Sequence, residues 1–325
     1  MRELTFEEIR SAARGIVGAE QKEGGIHFYR FRPAQAAHYE KARPDFYLKA
    51  LATAGVRLSF ITDSTALEMD YIIENYGSSR KFAYFDIYIN DVLTYHFGIS
   101  ERTGAQNREE LLLAAGEKKI EIHFPWSACA VLQSLRLSSN ASFAPLKRKT
   151  TMLSYGDSIT QGYDALYPSL SYASALAKMM DADSINRGIG GEIFRPELLN
   201  EKEDFEPDYI TVAYGTNDWA CRSAEKFIEN CRAFYALLSE QYPYARIFAI
   251  TPLWRKDGEE EKPIGIPHCQ LDALMRSLLA DLPNVAVIGG YPLTPHLPEF
   301  FSDLYLHPNH LGFTQYAKNL YEAIR

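Results

Sequence analysis

The hydrophobic period of this chain changes once, near residue 150, and that change constrains the fold more than any other feature. From about residue 26 the period is two. Val56, Leu58 and Phe60 alternate with Arg57 and Ser59; Leu67, Met69 and Tyr71 with Glu68 and Asp70; Phe85, Ile87 and Ile89 with Asp86 and Tyr88, before Asn90-Asp91. Ile120, Ile122 and Phe124 flank Glu121 and His123, and Leu135 and Leu137 flank Arg136. Such strands bury one face and wet the other, and a series of them with little helix between predicts an antiparallel sandwich. Ahead of them, Thr5-Phe6-Glu7-Glu8 fits a capping box and predicts a short opening helix.

Beyond residue 150 the apolar residues come in runs. Met152–Tyr155, Ile210–Tyr214, Ile247–Thr251 and Val285–Ile288 read as strands buried on both faces, with Ser184–Asn186 as a further candidate. Between them Phe227, Ile228, Cys231, Phe234, Tyr235 and Leu238 recur at helical spacing, as do Phe313, Tyr316, Ala317, Leu320, Tyr321 and Ile324. Strands alternating with helices predict a parallel sheet covered on both sides. The expected division is a β-sandwich over 1–146 and an α/β domain over 147–325, with Lys147-Arg148-Lys149 as a solvated linker.

In a parallel sheet the carboxyl ends of the strands share one edge, where ligands bind. Gly156-Asp157-Ser158 presents a hydroxyl just past such an end, and Gly191 and Asn217 follow two others. An exposed serine there is a nucleophile if a histidine can reach it and donors can hold an oxyanion; otherwise Asp157 and Ser158 form a turn or cap a helix. His307 lies within Ser302-Asp303-Leu304-Tyr305-Leu306-His307-Pro308-Asn309.

Composition narrows the partners. A net charge of -8 excludes nucleic acid or an anionic membrane as the main partner. No run approaches the 18 apolar residues of a membrane span, and Met1–Glu20 has no apolar stretch of a secretory signal, so a cytoplasmic protein is expected. Cys129, Cys221, Cys231 and Cys269 show neither CxxC spacing nor a disulfide framework and are expected as free thiols. The 21 tyrosines suit a glycan-binding face or a β-rich core equally.

Four blocks in order carry a resemblance. Gly156-Asp157-Ser158-Ile159, Asn186 to Gly191, Gly215-Thr216-Asn217-Asp218 and His307-Pro308-Asn309 resemble the motifs of the SGNH/GDSL hydrolases over the whole second half. The first half resembles, more distantly, the sandwich that precedes the hydrolase domain in some carbohydrate-active members. The resemblance implies a flavodoxin-like three-layer fold and a serine esterase working through an acyl-serine intermediate, without metal or cofactor. Ser158 becomes the nucleophile and His307 its base. The backbone N–H groups of Ser158 and Gly191 and the amide of Asn217 become the oxyanion hole. Asp157, Gly215 and Asp218 are supporting residues, the two aspartates as braces of their loops.

One position departs from the pattern. The family's aspartate stands three residues before the histidine, where this chain has Leu304; Asp303 lies four before. A helical turn would still bring Asp303 to His307, an extended segment would not, and a Ser158–His307 dyad is the alternative. The implied substrate is a small acyl ester, with an O-acetylated carbohydrate as the specific expectation. An acyltransferase using the same serine and a non-catalytic glycan-binding protein are the competing readings. Other patterns are weaker. Ile193 replaces the third glycine of a dinucleotide loop begun at Gly188-Ile189-Gly190. His310, read as an exposed loop residue, makes no zinc spacing with His307, His296 or His268. Asp157 with Glu192 could mimic a glycosidase pair, and Trp219 and Trp254 could wall a pocket or pack in a core. Oligomeric state leaves no mark on the sequence.

Overall fold

The computed structural model describes residues 1–325, the side chain of Ala42 apart. It comprises two compact units, Met1–Arg148 with Tyr167–Ser169, and Lys149–Leu166 with Leu170–Arg325.

The first unit is an all-antiparallel sandwich. One sheet runs Gly18–Lys22, Gly25–Tyr29, Ala128–Leu137, Ala66–Tyr76, Gln106–Leu112; the other runs Ala144–Pro145, Arg57–Thr62, Lys118–His123, Phe82–Ile89, Val92–Ser100. The inward residues are those that alternate in the sequence: Leu67, Met69 and Tyr71 from one sheet meet Leu58, Phe60, Phe85, Ile87, Ile120 and Ile122 from the other. Tyr71 and Phe85 interlock with ring centroids 4.7 Å apart. The opening helix, Phe6–Ala12, carries its capping box, Glu8 N–H on Thr5 and Thr5 N–H on Glu8. Asn90 and Asp91 turn the Phe82–Ile89 hairpin at φ 48 and 68.

Two expectations change here, and one open choice is decided for many residues. Helices Pro33–Ala42 and Pro44–Leu51 interrupt a stretch read as strands. Each begins with proline at its first position, which suits a helix start and, at Pro44, also ends the preceding helix. Arg148 is no solvated linker residue: its guanidinium donates to the buried Glu121 at 2.9 Å and its side chain is 9% exposed. Many tyrosines, among them Tyr71, Tyr155, Tyr172, Tyr214, Tyr235 and Tyr316, are core residues.

The second unit is the three-layer fold. Its parallel strands are β1 (Thr150–Gly156), β2 (Ala182–Gly188), β3 (Tyr209–Ala213), β4 (Arg246–Ile250) and β5 (Val285–Ile288), in the order β2-β1-β3-β4-β5. This is the flavodoxin-like order, whose switch point lies at β1 and β3. The helices are α1 (Ser158–Gln161), α2 (Tyr172–Met179), α3 (Thr216–Cys221), α4 (Ala224–Gln241), α5 (Leu271–Leu279) and α6 (His310–Ile324). Phe227, Cys231, Phe234, Tyr235 and Leu238 of α4, with Leu271, Met275 and Leu279 of α5, bury against Leu153, Ile210, Val212, Ile247 and Ala249. Helices α2 and α6 pack together with Tyr172 stacked on Tyr316 at 4.3 Å. His310 opens α6 rather than sitting in a loop, and is exposed. All four cysteines are free thiols. Among the described residues, no helix is long and apolar enough to cross a membrane.

Candidate active site

Strand β1 ends at Gly156 because α1 folds back onto it: a Cβ there would collide with the Thr160 hydroxyl. Asp157 caps α1, its carboxylate accepting the Ile159 N–H at 2.9 Å. Ser158 is the first helical residue, and its Oγ lies 3.0 Å from His307 Nε2. A four-residue helix cannot hold itself, and β2 supplies the anchors. Asn186 donates to the Thr160 carbonyl at 2.6 Å and accepts the Gly188 N–H at 2.8 Å, while Gln161 accepts the Gly190 N–H at 2.8 Å. The Asn186 side chain thus ties the second block to the first.

The His307 loop is built differently. A bridge between Phe301 and Pro308 closes it, with Ser302 N–H on the His307 carbonyl at 2.8 Å. It is neither a helical turn nor extended. Leu304 adopts φ 56 and turns the backbone, so that the acid four positions back still arrives. Asp303 Oδ2 meets His307 Nδ1 at 2.7 Å, and Oδ1 accepts the backbone N–H groups of Tyr305, Leu306 and His307 at 3.0, 2.8 and 3.1 Å. The extra residue is absorbed by the left-handed turn. Tyr163 stacks on the imidazole, with ring centroids 5.6 Å apart.

The candidate oxyanion donors lie on the loops after β1, β2 and β3. Gly191 sits at φ 88. Gly215 caps α3 at φ 115, where a side chain would be strained and would press on Pro252. One amide N–H of Asn217 donates to the Glu192 carbonyl at 2.9 Å, beside Gly191, which leaves its second N–H for another acceptor. Asp218 receives the Phe194 N–H at 3.2 Å. These two adjacent side chains therefore clasp the loop after β2. Among the described residues, the N–H groups of Ser158 and Gly191 have no acceptor within the protein.

Electrostatics separate the carboxyls. Burial pushes Asp157 up to about 6 against the pull of the Ile159 N–H and of His307, and pushes Asp218 up to about 7 against that of the Phe194 N–H. Burial acts on Asp303 in the same direction, but the His307 ring and the backbone donors outweigh it and hold that carboxyl well below the usual range. The opposed shifts separate two buried braces from one ionised partner of the imidazole.

The remaining candidates fall elsewhere. Glu192 is buried and bound by Arg195 and the Ile193 N–H, so it does not form a pair with Asp157. Trp219 is a core residue whose indole N–H donates to the Ile266 carbonyl at 2.8 Å; Trp254 is half-buried and stacked on His296. His268 is buried against Trp219 and Tyr291. Asp164, Asp303 and His307 could each offer one ligand atom within 4.8 Å of the others, but two of these atoms belong to the pair facing Ser158. Sequence reasoning did not single out Gln161, Tyr163 or Arg255. Gln161 and Tyr163 flank Gly162 directly after the first block, whereas Arg255 carries no sequence signal.

The model of the GDSL-like lipase/acylhydrolase family matches residues 154–314. Residues 154–314 belong to that family. No curated protein sequence matches the chain. Three solved structures share the two-part fold. A salicylyl-acyltransferase from a tetracycline biosynthetic pathway is 21% identical, with a TM-score of 0.82 over 95% of this chain and 92% of that one. A family two carbohydrate esterase from Cellvibrio japonicus is 18% identical, with a TM-score of 0.68 over 98% and 96%. An acetyl xylan esterase from the rumen bacterium Butyrivibrio proteoclasticus is 15% identical, with a TM-score of 0.65 over 100% and 98%.

Proposed function

We propose that the chain is a serine acyl-ester hydrolase, with residues 147–325 as the catalytic domain and 1–146 as an accessory domain. The observation that carries this reading is the run of contacts from Ser158 Oγ to His307 Nε2 (3.0 Å) and from His307 Nδ1 to Asp303 Oδ2 (2.7 Å). In the first step Ser158 Oγ attacks the ester carbonyl as its proton passes to His307, and Asp303 stabilises the resulting imidazolium. The Ser158 and Gly191 N–H groups and the free amide N–H of Asn217 receive the tetrahedral oxyanion. Collapse breaks the bond to the alkoxy oxygen, which takes the proton from His307 and leaves as the alcohol. Water then repeats the sequence on the acyl-serine, releasing the acid and restoring Ser158.

The substrate within this reading is a small acyl ester, an O-acetyl group on a carbohydrate. Its support is the likeness to the carbohydrate esterase and the acetyl xylan esterase. The likeness to the salicylyl-acyltransferase favours one second reading, transfer of the acyl group to a hydroxyl acceptor. Chromogenic acetate, butyrate and octanoate offered to wild type and Ser158→Ala test both. The expected result is preference for acetate and a loss of about 10³-fold or more in kcat on substitution. Preference for octanoate overturns the acetyl assignment, and near-normal turnover by Ser158→Ala overturns the mechanism. Product analysis with an added sugar acceptor separates transfer from hydrolysis.

A further inference from the structure

Arg255 follows β4, in a segment that belongs to none of the four blocks, and its side chain is 6% exposed. A buried guanidinium is stable only when its donors are matched. Here five contacts serve its five N–H groups. Nε and Nη2 face the two oxygens of Asp257, at 2.5 and 3.0 Å. Nη1 donates to the carbonyl and the hydroxyl of Thr216, at 3.2 and 3.0 Å, and Nη2 reaches the Tyr305 hydroxyl at 3.4 Å. The Trp219 ring carries the guanidinium on its face, 4.9 Å from the centroid. The neighbouring Lys256 N–H donates to the Tyr305 carbonyl at 3.0 Å. Thr216 immediately precedes Asn217, and Tyr305 stands two residues before His307.

We propose that Arg255 is a positioning residue that holds the Asn217 turn and the His307 loop in register. It acts through Thr216 and Tyr305 and does not touch the ester. The proposal rests on the reading of Ser158, His307 and Asn217 given above. Its chemical logic is that the oxyanion donor and the base must meet the same tetrahedral carbon, while they come from loops far apart in the chain. A displacement of about 1 Å in either costs on the order of 10²-fold in rate. The rigid fork of arginine can bond Asp257, Thr216 and Tyr305 at once. The single ammonium of lysine cannot.

The test uses the full chain and chromogenic acetate. Arg255→Lys keeps a charge beside Asp257, so it is expected to melt within a few degrees of wild type. Its kcat should fall about tenfold or more while KM changes by less than about threefold. In an Asn217→Ala background the same substitution should cost several-fold less, because part of what it positions is gone. Wild-type kcat in Arg255→Lys, a change confined to KM, or losses that multiply fully in the double variant each overturn the proposal. If Arg255→Lys does not fold, Thr216→Val carries the test by removing one acceptor alone, with the same kcat loss and the same non-multiplicative pattern expected. Ser158→Ala keeps the two failures apart. Turnover by Ser158→Ala removes the underlying reading, whereas an inactive Ser158→Ala beside a fully active Arg255→Lys removes only the role of Arg255.

Discussion

The two halves of the site are held by opposite strategies. The Ser158 turn is buried, and several neighbours fix it: Asn186, Gln161, the Asp157 cap and the close approach of Thr160 to Gly156. The His307 loop is more exposed, and one carboxylate does most of the work, since Asp303 accepts from three backbone N–H groups and from the imidazole. The Ser158 end is held redundantly, and the His307 end economically. Loss of a single partner should therefore be tolerated differently at the two ends.

The sharpest way to break this contrast is Asp303→Asn. The acid would no longer stabilise an imidazolium, and kcat should fall about 10² to 10⁴-fold. A loss under threefold, measured with the same acetate, would show that His307 works as half of a dyad. On the nucleophile side, Gly156→Ala forces a methyl into the Thr160 hydroxyl and should cost about 1–3 kcal/mol in denaturant unfolding. An unchanged midpoint would mean that the turn is less tightly packed than the contacts say.

Asp218 probes the buried braces. Its carboxyl is raised to about 7 in the fold, against about 4 in an unfolded chain, so the folded state keeps a proton that the unfolded state has lost. That contribution is fully present below about pH 4 and is lost as pH rises through about 7. Asp218→Asn should flatten this part of the stability–pH curve; parallel curves for the two proteins would reject the shift. Asp157, raised to about 6, acts across the same window and remains in the variant.

The smallest effect is expected at Leu304. Its side chain is exposed and its backbone stands at φ 56, so Leu304→Gly should relieve about 1 kcal/mol of strain. Thermal melting and kcat together decide it. A gain in stability with unchanged kcat fits a passive turn, whereas a loss of kcat would mean that the leucine itself holds the loop closed.

What could be read in advance follows from how burial writes itself into sequence. Four of the five parallel strands were legible because both of their faces are largely buried, and the inward strands of the sandwich because one is. Val285–Ile288, also expected to be buried on both faces, is instead an edge of its sheet, with Ala286 exposed and its neighbours half-buried. Gln106–Leu112 was not legible, because it ends its sheet as an edge strand, where charged residues replace the apolar alternation. The helix Pro33–Ala42 carries little apolar periodicity, and only its proline start and stop mark it. At the site, Ser158, Gly191, Asn217 and His307 stood out through short local blocks. Whether Asp303 could serve depended on the conformation of one leucine, which no spacing rule supplies. Arg255 was invisible because two of its partners, at 216 and 305, are distant in the chain and reach it only in the folded domain.

The reliance on Asp303 also bears on how the protein should fail when warmed. The segment Ser302–Leu306 contains no regular helix or strand, and one side chain both shapes it and holds the His307 imidazole. Segments of this kind open at free energies well below that of global unfolding. Each such opening would separate the imidazole from its acid and from Ser158 while the sheet stays intact. Reversible heat inactivation should therefore precede the loss of far-ultraviolet circular dichroism, so that catalysis reports on one loop rather than on the whole domain.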